Sequence, residues 1–147
     1  MIKIRQGTFE TNSSSTHSIV ICNQEEYDKL QNNELFVKYY SGEIVKRERV
    51  VDDILNYLYA NVNTKDFLET ISDILGRDII EIDKEVIMSF DNTEFAEFLR
   101  EIHLWFDCDY KTLEDWLDDE YLESEQHSRK FDDGATIYTF CKYGYDG

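Results

Sequence analysis

The hydrophobic period of this 147-residue chain changes twice, and that change limits the possible folds more than any single motif does. Residues 2–5 and 18–22 are short β-favouring runs, and Leu35–Tyr40 and Glu43–Val50 flank Ser41-Gly42, a plausible hairpin turn. From residue 50 the apolar residues recur about every 3.6 positions, the mark of helices that bury one face. At Ala135–Cys141 the period returns to two, after the turn signal Asp132-Asp133-Gly134. Strands at both ends of a helical middle predict an α+β domain. The N-terminal strands and the C-terminal strand would form a small, mostly antiparallel sheet, with about four amphipathic helices packed on it.

The helices can be placed from their stripes and stop signals. Asn23 caps a short helix over Gln24–Leu30, with Glu25 and Glu26 in its first turn. Val51, Ile54, Leu55 and Leu58 line one face of the next, and Phe67, Leu68, Ile71, Ile74 and Leu75 line another that stops at Gly76. Ile79–Phe90 is apolar without a decisive period. A third amphipathic helix starts at the Asp91/Asn92 cap and turns Phe95, Phe98, Leu99 and Ile102 inward. A fourth, from Thr112, would bury Leu113, Trp116, Leu117 and Tyr121. Proline is absent and no linker or repeat interrupts the pattern, so residues 1–147 read as a single domain. The last residues, Tyr143 to Gly147, read as a frayed tail.

Charge narrows the classes of partner. The net charge is −17, yet residues 1–50 balance at seven basic and seven acidic side chains. The remaining 97 residues hold eight basic and twenty-five acidic ones, which is the whole excess. Such a surface repels nucleic acid and anionic membrane and attracts basic proteins. Apolar residues at 41% and aromatics at 14% supply a core despite the acidity. No run approaches the roughly 18 apolar residues of a membrane span, and Met1–Gln6 lacks a signal-peptide character, so the expected location is the cytoplasm. Cys22, Cys108 and Cys141 fit neither a disulfide framework nor a zinc spacing and read as reduced structural thiols. Neither His103 nor His127 has a ligand-spaced neighbour, so no metal and no cofactor is expected.

Two constellations could carry chemistry. The first is the run Thr11, Asn12, Ser13, Ser14, Ser15, Thr16, His17 and Ser18, with Glu10 just before it. A serine becomes a nucleophile when a base such as His17 adjoins it, which makes Ser13, Ser14, Ser15 and His17 the catalytic candidates. Hydroxyls and amides from Glu10 to His17 could equally hold a phosphate or nucleotide. The structural alternative is a hydroxyl-rich loop that satisfies its own backbone.

The second is the acidic stretch holding Asp107, Asp109, Glu114, Asp115, Asp118, Asp119, Glu120 and Glu123. On one continuous helix Asp115, Asp119 and Glu123 would form a line of carboxylates about 5–6 Å apart. Phosphates on a nucleic acid strand rise by about 3.4 Å each, so such a line could imitate a phosphate backbone. The plainer alternative is a solvated face.

The opening Lys3-Ile4-Arg5-Gln6-Gly7-Thr8-Phe9-Glu10-Thr11-Asn12-Ser13-Ser14-Ser15-Thr16-His17-Ser18-Ile19-Val20-Ile21 resembles the N-terminus of a group of small bacteriophage and mobile-element proteins of low-GC bacteria. The resemblance covers these residues alone and implies an origin more than a mechanism. Small acidic phage proteins often inhibit host defence or nucleic-acid enzymes, some as nucleic-acid mimics, including several anti-CRISPR families. By that analogy the chain would be a non-enzymatic inhibitor in the cytoplasm of a bacterial host. Its partner would be a basic nucleic-acid-binding or defence protein. The alternative is an enzyme or small-ligand binder using the Thr11–Ser18 loop, and a third possibility is a self-associating particle component.

Overall fold

A computed structural model of the chain describes residues 2–3, 14–58, 65–105, 108–118 and 123–145. The fold is α+β, as its periodicity implies, but its strands divide between two sheets instead of one. Strands β1 (Ile2–Lys3) and β2 (Ser14–Asn23) precede helix α1 (Gln24–Gln31), and β3 (Leu35–Lys38) and β4 (Ile44–Lys46) form the hairpin. Helices α2 (Arg47–Leu58), α3 (Lys65–Leu75), α4 (Lys84–Met88) and α5 (Asn92–Trp105) follow. The chain then runs through β5 (Tyr110–Lys111), α6 (Leu113–Leu117), β6 (Glu123–Lys130) and β7 (Thr136–Tyr145). One sheet has the order β1-β6-β7-β2, antiparallel except for the β1–β6 pair; the other is β4-β3-β5.

Local chemistry explains most boundaries. Asn23 and Glu26 form a reciprocal capping box at α1, each side chain accepting the other's backbone N–H. Asp91 and Glu94 do the same at α5. After α3 the chain needs a left-handed residue, which Gly76 supplies at φ +69°. The apolar segment without a period contains the one-turn helix α4, capped by Asp83.

Two packed clusters result. The larger joins α2, α3 and α5 through Val51, Ile54, Phe67, Ile71, Phe95, Phe98 and Leu99, with Phe36 beneath them. Its rings meet edge to face, Phe36 on Phe95 at 5.0 Å and Phe90 on Phe98 at 5.4 Å between centroids. The smaller lies between α1, α6 and the four-stranded sheet, built on Val20, Cys22, Leu30, Val37, Trp116 and Phe140. Tyr27 of α1 stacks on Tyr138 of β7 at 4.1 Å. Burial and a hydrogen bond to Asp53 of α2 push the Tyr110 hydroxyl of β5 up to about 12.

Five local expectations change. The Ser14–His17 backbone is strand, not loop, because β7 runs on to Tyr145 and offers it partners. For the same reason Tyr143 to Tyr145 are not a frayed tail. Ser124–Lys130, a polar stretch for which the sequence predicts no strand, is nearly all of β6. The strand expected to reach Val50 ends at Lys46, where α2 begins. The fourth amphipathic helix is one turn long: α6 stops at Leu117, and Asp118 leaves helical geometry with ψ 72°. Like charges at i, i+4 give a longer helix no support there.

Candidate functional site

Burying a polar side chain is costly unless something compensates it, so buried polar groups are informative wherever they gather. Among the described residues five are buried: Ser18, Thr112, Ser124, Glu125 and Lys142. Four of the five occupy adjacent rungs at one end of the four-stranded sheet. Ser18 of β2 stands opposite Lys142 of β7, which stands opposite Ser124 of β6; Glu125 is one rung along, opposite Cys141.

Strand alternation sorts these groups by face. Ser18, Lys142 and Ser124 share the face that carries Val20 and Phe140, towards α6. There the Lys142 ammonium lies 4.4 Å from the Tyr39 ring and 4.4 Å from the Trp116 ring. Two aromatic faces offset part of the desolvation of a fully buried cation. Trp116 is held in turn by its indole N–H, which donates to the Tyr39 carbonyl at 3.2 Å. Ser124 Oγ donates to the Leu117 carbonyl at 2.8 Å, fastening β6 to α6. Ser18 Oγ is buried with no hydrogen-bond partner among the described residues.

Glu125, Cys141 and Tyr143 occupy the opposite face and are also buried, with His127 Nε2 3.9 Å from Glu125. Burial first, and then the nearby Glu125, push the Cys141 thiol up to about 11 against the pull of a Tyr143 hydrogen bond. Cys22 is raised to about 11 by burial and by Glu26. Burial and the raised pKa both disfavour the thiolate, the nucleophilic form. Cys22, Cys108 and Cys141 are not joined to one another.

The serine-rich run enters this region from β2. Ser14, Ser15 and Thr16 pair with Tyr145, Gly144 and Tyr143, and the register then slips so that Ser18 pairs with Lys142. His17 is thus the extra residue of a β-bulge, a device that re-aims side chains and ends regular pairing. Glu10, Thr11, Asn12 and Ser13 lie outside the described residues. The structure therefore sets the backbone of Ser14, Ser15, Thr16 and His17 beside the buried polar rungs, which no spacing rule in the sequence reveals.

Among the described residues the acidic candidates do not share one helix face. Asp107, Asp119 and Glu120 lie outside the described residues. Asp109 is half-buried beside β5, and its carbonyl accepts the Tyr39 N–H at 2.7 Å. Asp115 is paired with Arg100 at 2.8 Å, while Glu114 is exposed and 3.9 Å from the same guanidinium. Asp118 ends α6, and Glu123 opens β6 opposite Tyr143. The two described members of the expected carboxylate line, Asp115 and Glu123, lie on α6 and β6 and not on one continuous helix.

A different acidic surface emerges beside α3. Lys65, Leu68, Glu69, Ser72, Asp73, Asp78, Ile79 and Ile80 line an open groove of about 760 Å³. Ser72 builds it: its hydroxyl donates to the Leu68 carbonyl at 2.8 Å and accepts the Ile79 N–H at 2.8 Å, holding the chain after Gly76 against the helix. Ile80 is left 82% exposed. The sequence carried a faint signal of this site, since Glu69 and Asp73 recur at i, i+4 on the polar side of the α3 stripe. His103 is occupied elsewhere, its Nε2 2.5 Å from the Tyr110 carbonyl. Among the described residues no group of three His, Cys, Asp or Glu side chains is disposed to hold a metal ion, and no helix is long and apolar enough to cross a membrane. Comparison with protein-family models, with curated proteins and with solved structures finds no match.

Proposed function

We propose that the protein is a non-enzymatic binding protein whose acidic surface engages a basic partner. By the analogy with small acidic phage proteins, that partner is a nucleic-acid-handling or defence protein of a bacterial host. The observation that carries the reading is the charge asymmetry: the entire −17 falls on residues 51–147. At least four of that segment's eight cations, Lys65, Lys84, Arg77 and Arg100, already stand in ion pairs, which leaves a large carboxylate excess. Self-repulsion of this size destabilises a compact chain and steers association with a cationic surface. Tagged protein in an extract of a bacterial host should retain a basic protein at low salt and release it at high salt. Retention that is indifferent to salt, or of acidic and neutral proteins only, would refute the reading.

A second reading, a small-ligand binder or enzyme using His17 and the serine run, is favoured by the buried polar rungs beside β2. It requires that a nucleotide or phosphorylated compound raise the melting temperature, and that His17→Ala or Ser14→Ala remove the shift while leaving the fold intact. A full panel without any shift would reject it.

A further inference from the structure

We infer that the groove beside α3 is the docking surface for the partner, and that it takes a basic peptide segment carrying an apolar residue. This rests on the acidic-binder reading and adds to it the place and the chemistry of contact. The groove combines two features that are weak singly. Its floor is apolar, from half-buried Leu68 and Ile79, with Ile80 projecting 82% exposed at its rim. Its walls carry Glu69, Asp73 and Asp78 against Lys65, the last 3.9 Å from Glu69.

Ile80 sits between residues that do reach the core, half-buried Ile79 before it and buried Ile82 after it, so its exposure follows from a chain path that Ser72 and Gly76 pin in place. A partner that covers Ile80 gains its burial, and the preformed loop means little ordering is lost on contact. The carboxylates choose which partner does so. A nucleic acid strand is repelled by three like charges, and a neutral apolar ligand gains nothing from them. A lysine- or arginine-bearing segment satisfies walls and floor together, with the salt sensitivity of a steered encounter.

The test is titration of the isotope-labelled full chain, followed by NMR, with three short synthetic peptides: alternating lysine and leucine, lysine alone, and alternating glutamate and leucine. The lysine–leucine peptide should shift Leu68, Ser72, Ile79 and Ile80 most and bind more tightly than lysine alone, and the glutamate–leucine peptide should not bind. Ile80→Ser, which alters an exposed side chain, should weaken binding about tenfold, as loss of an interface anchor does. The triple change Glu69→Gln, Asp73→Asn, Asp78→Asn should weaken it at least as much. Shifts centred on Glu114 and Asp118, or equal affinity in Ile80→Ser, would overturn the inference. The two readings fail separately. Salt-sensitive capture of a basic host protein that is unchanged in both variants would reject the groove and leave the acidic binder standing, whereas absence of any such capture would reject the binder itself.

Discussion

The helical layer and the four-stranded sheet bury their side chains by different rules. Between α2, α3 and α5 the buried cluster is apolar but for the Tyr110 hydroxyl, with phenylalanine rings meeting edge to face. In the sheet a comparable depth holds Ser18, Ser124, Glu125 and Lys142 among Val20, Phe140 and Trp116. An apolar cluster needs only volume and shape, and tolerates exchange within those limits. A polar one depends on particular partners, such as the two rings around Lys142, and fails when one is removed. The helical layer should therefore tolerate exchange of one apolar side chain for another, and the sheet is where residue identity counts.

The contrast can be broken by cutting into the apolar side. Phe98 is fully buried between Phe90 and Phe95, so Phe98→Ala should cost about 3–5 kcal/mol in urea denaturation. A loss below about 1 kcal/mol would mean that the layer is loosely packed. Next in size is the junction of the two sheets. Gly42, in the β3–β4 turn, has φ +72°, and a Cβ there would lie 1.9 Å from the Ile19 carbonyl oxygen of β2. Gly42→Ala should therefore cost at least about 2 kcal/mol, from left-handed strain and from separation of the turn from β2.

Lys142→Met sharpens the comparison from the polar side. Methionine keeps the length while removing the ammonium that both rings face, so stability should fall by about 1–2 kcal/mol, the scale of a desolvated cation–π contact. No loss, or a gain, would show that the sheet end needs only volume and shape, as the helical layer does. The last effect is electrostatic and absent at neutral pH. Cys22 and Cys141 are raised from 9.0 to about 11, so the fold favours their protonated forms. Their contribution to stability is complete below about 9 and is lost as pH rises through about 11. Alkylation of the native protein should reach half-buried Cys108 before either of them. Prompt labelling of Cys141 near neutral pH would contradict its burial.

These cases show which features are legible in sequence. Phe95, Phe98, Leu99 and Ile102 announce their face by spacing, and Asn23 and Asp91 announce helix starts by capping chemistry. Nothing local announces β6, since Glu123–Lys130 has no apolar alternation and is a strand because β7 pairs along its whole length. The candidate sites divide the same way. His17 could be singled out as a residue type in a hydroxyl-rich run, but its place in a bulge beside Lys142 and Tyr143 depends on a strand more than a hundred residues later. Helical spacing would align Asp115, Asp119 and Glu123 only on a helix longer than α6, which ends at Leu117. Ile80 gave no warning, because an isoleucine in an apolar stretch is ordinarily core.

By itself, then, the sequence determined the α+β class, the caps and stripes of the main helices and the placing of all net charge after residue 50. Each of these depends on neighbours within a turn or two, or on composition alone, and so survives without knowledge of the rest of the chain. Only the tertiary structure decided the split into two sheets, the polar rungs of Ser18, Ser124, Glu125 and Lys142 and the acidic groove at Ile80. Those features arise from pairings and contacts between distant segments, where one residue's environment is set by another that no local period encodes.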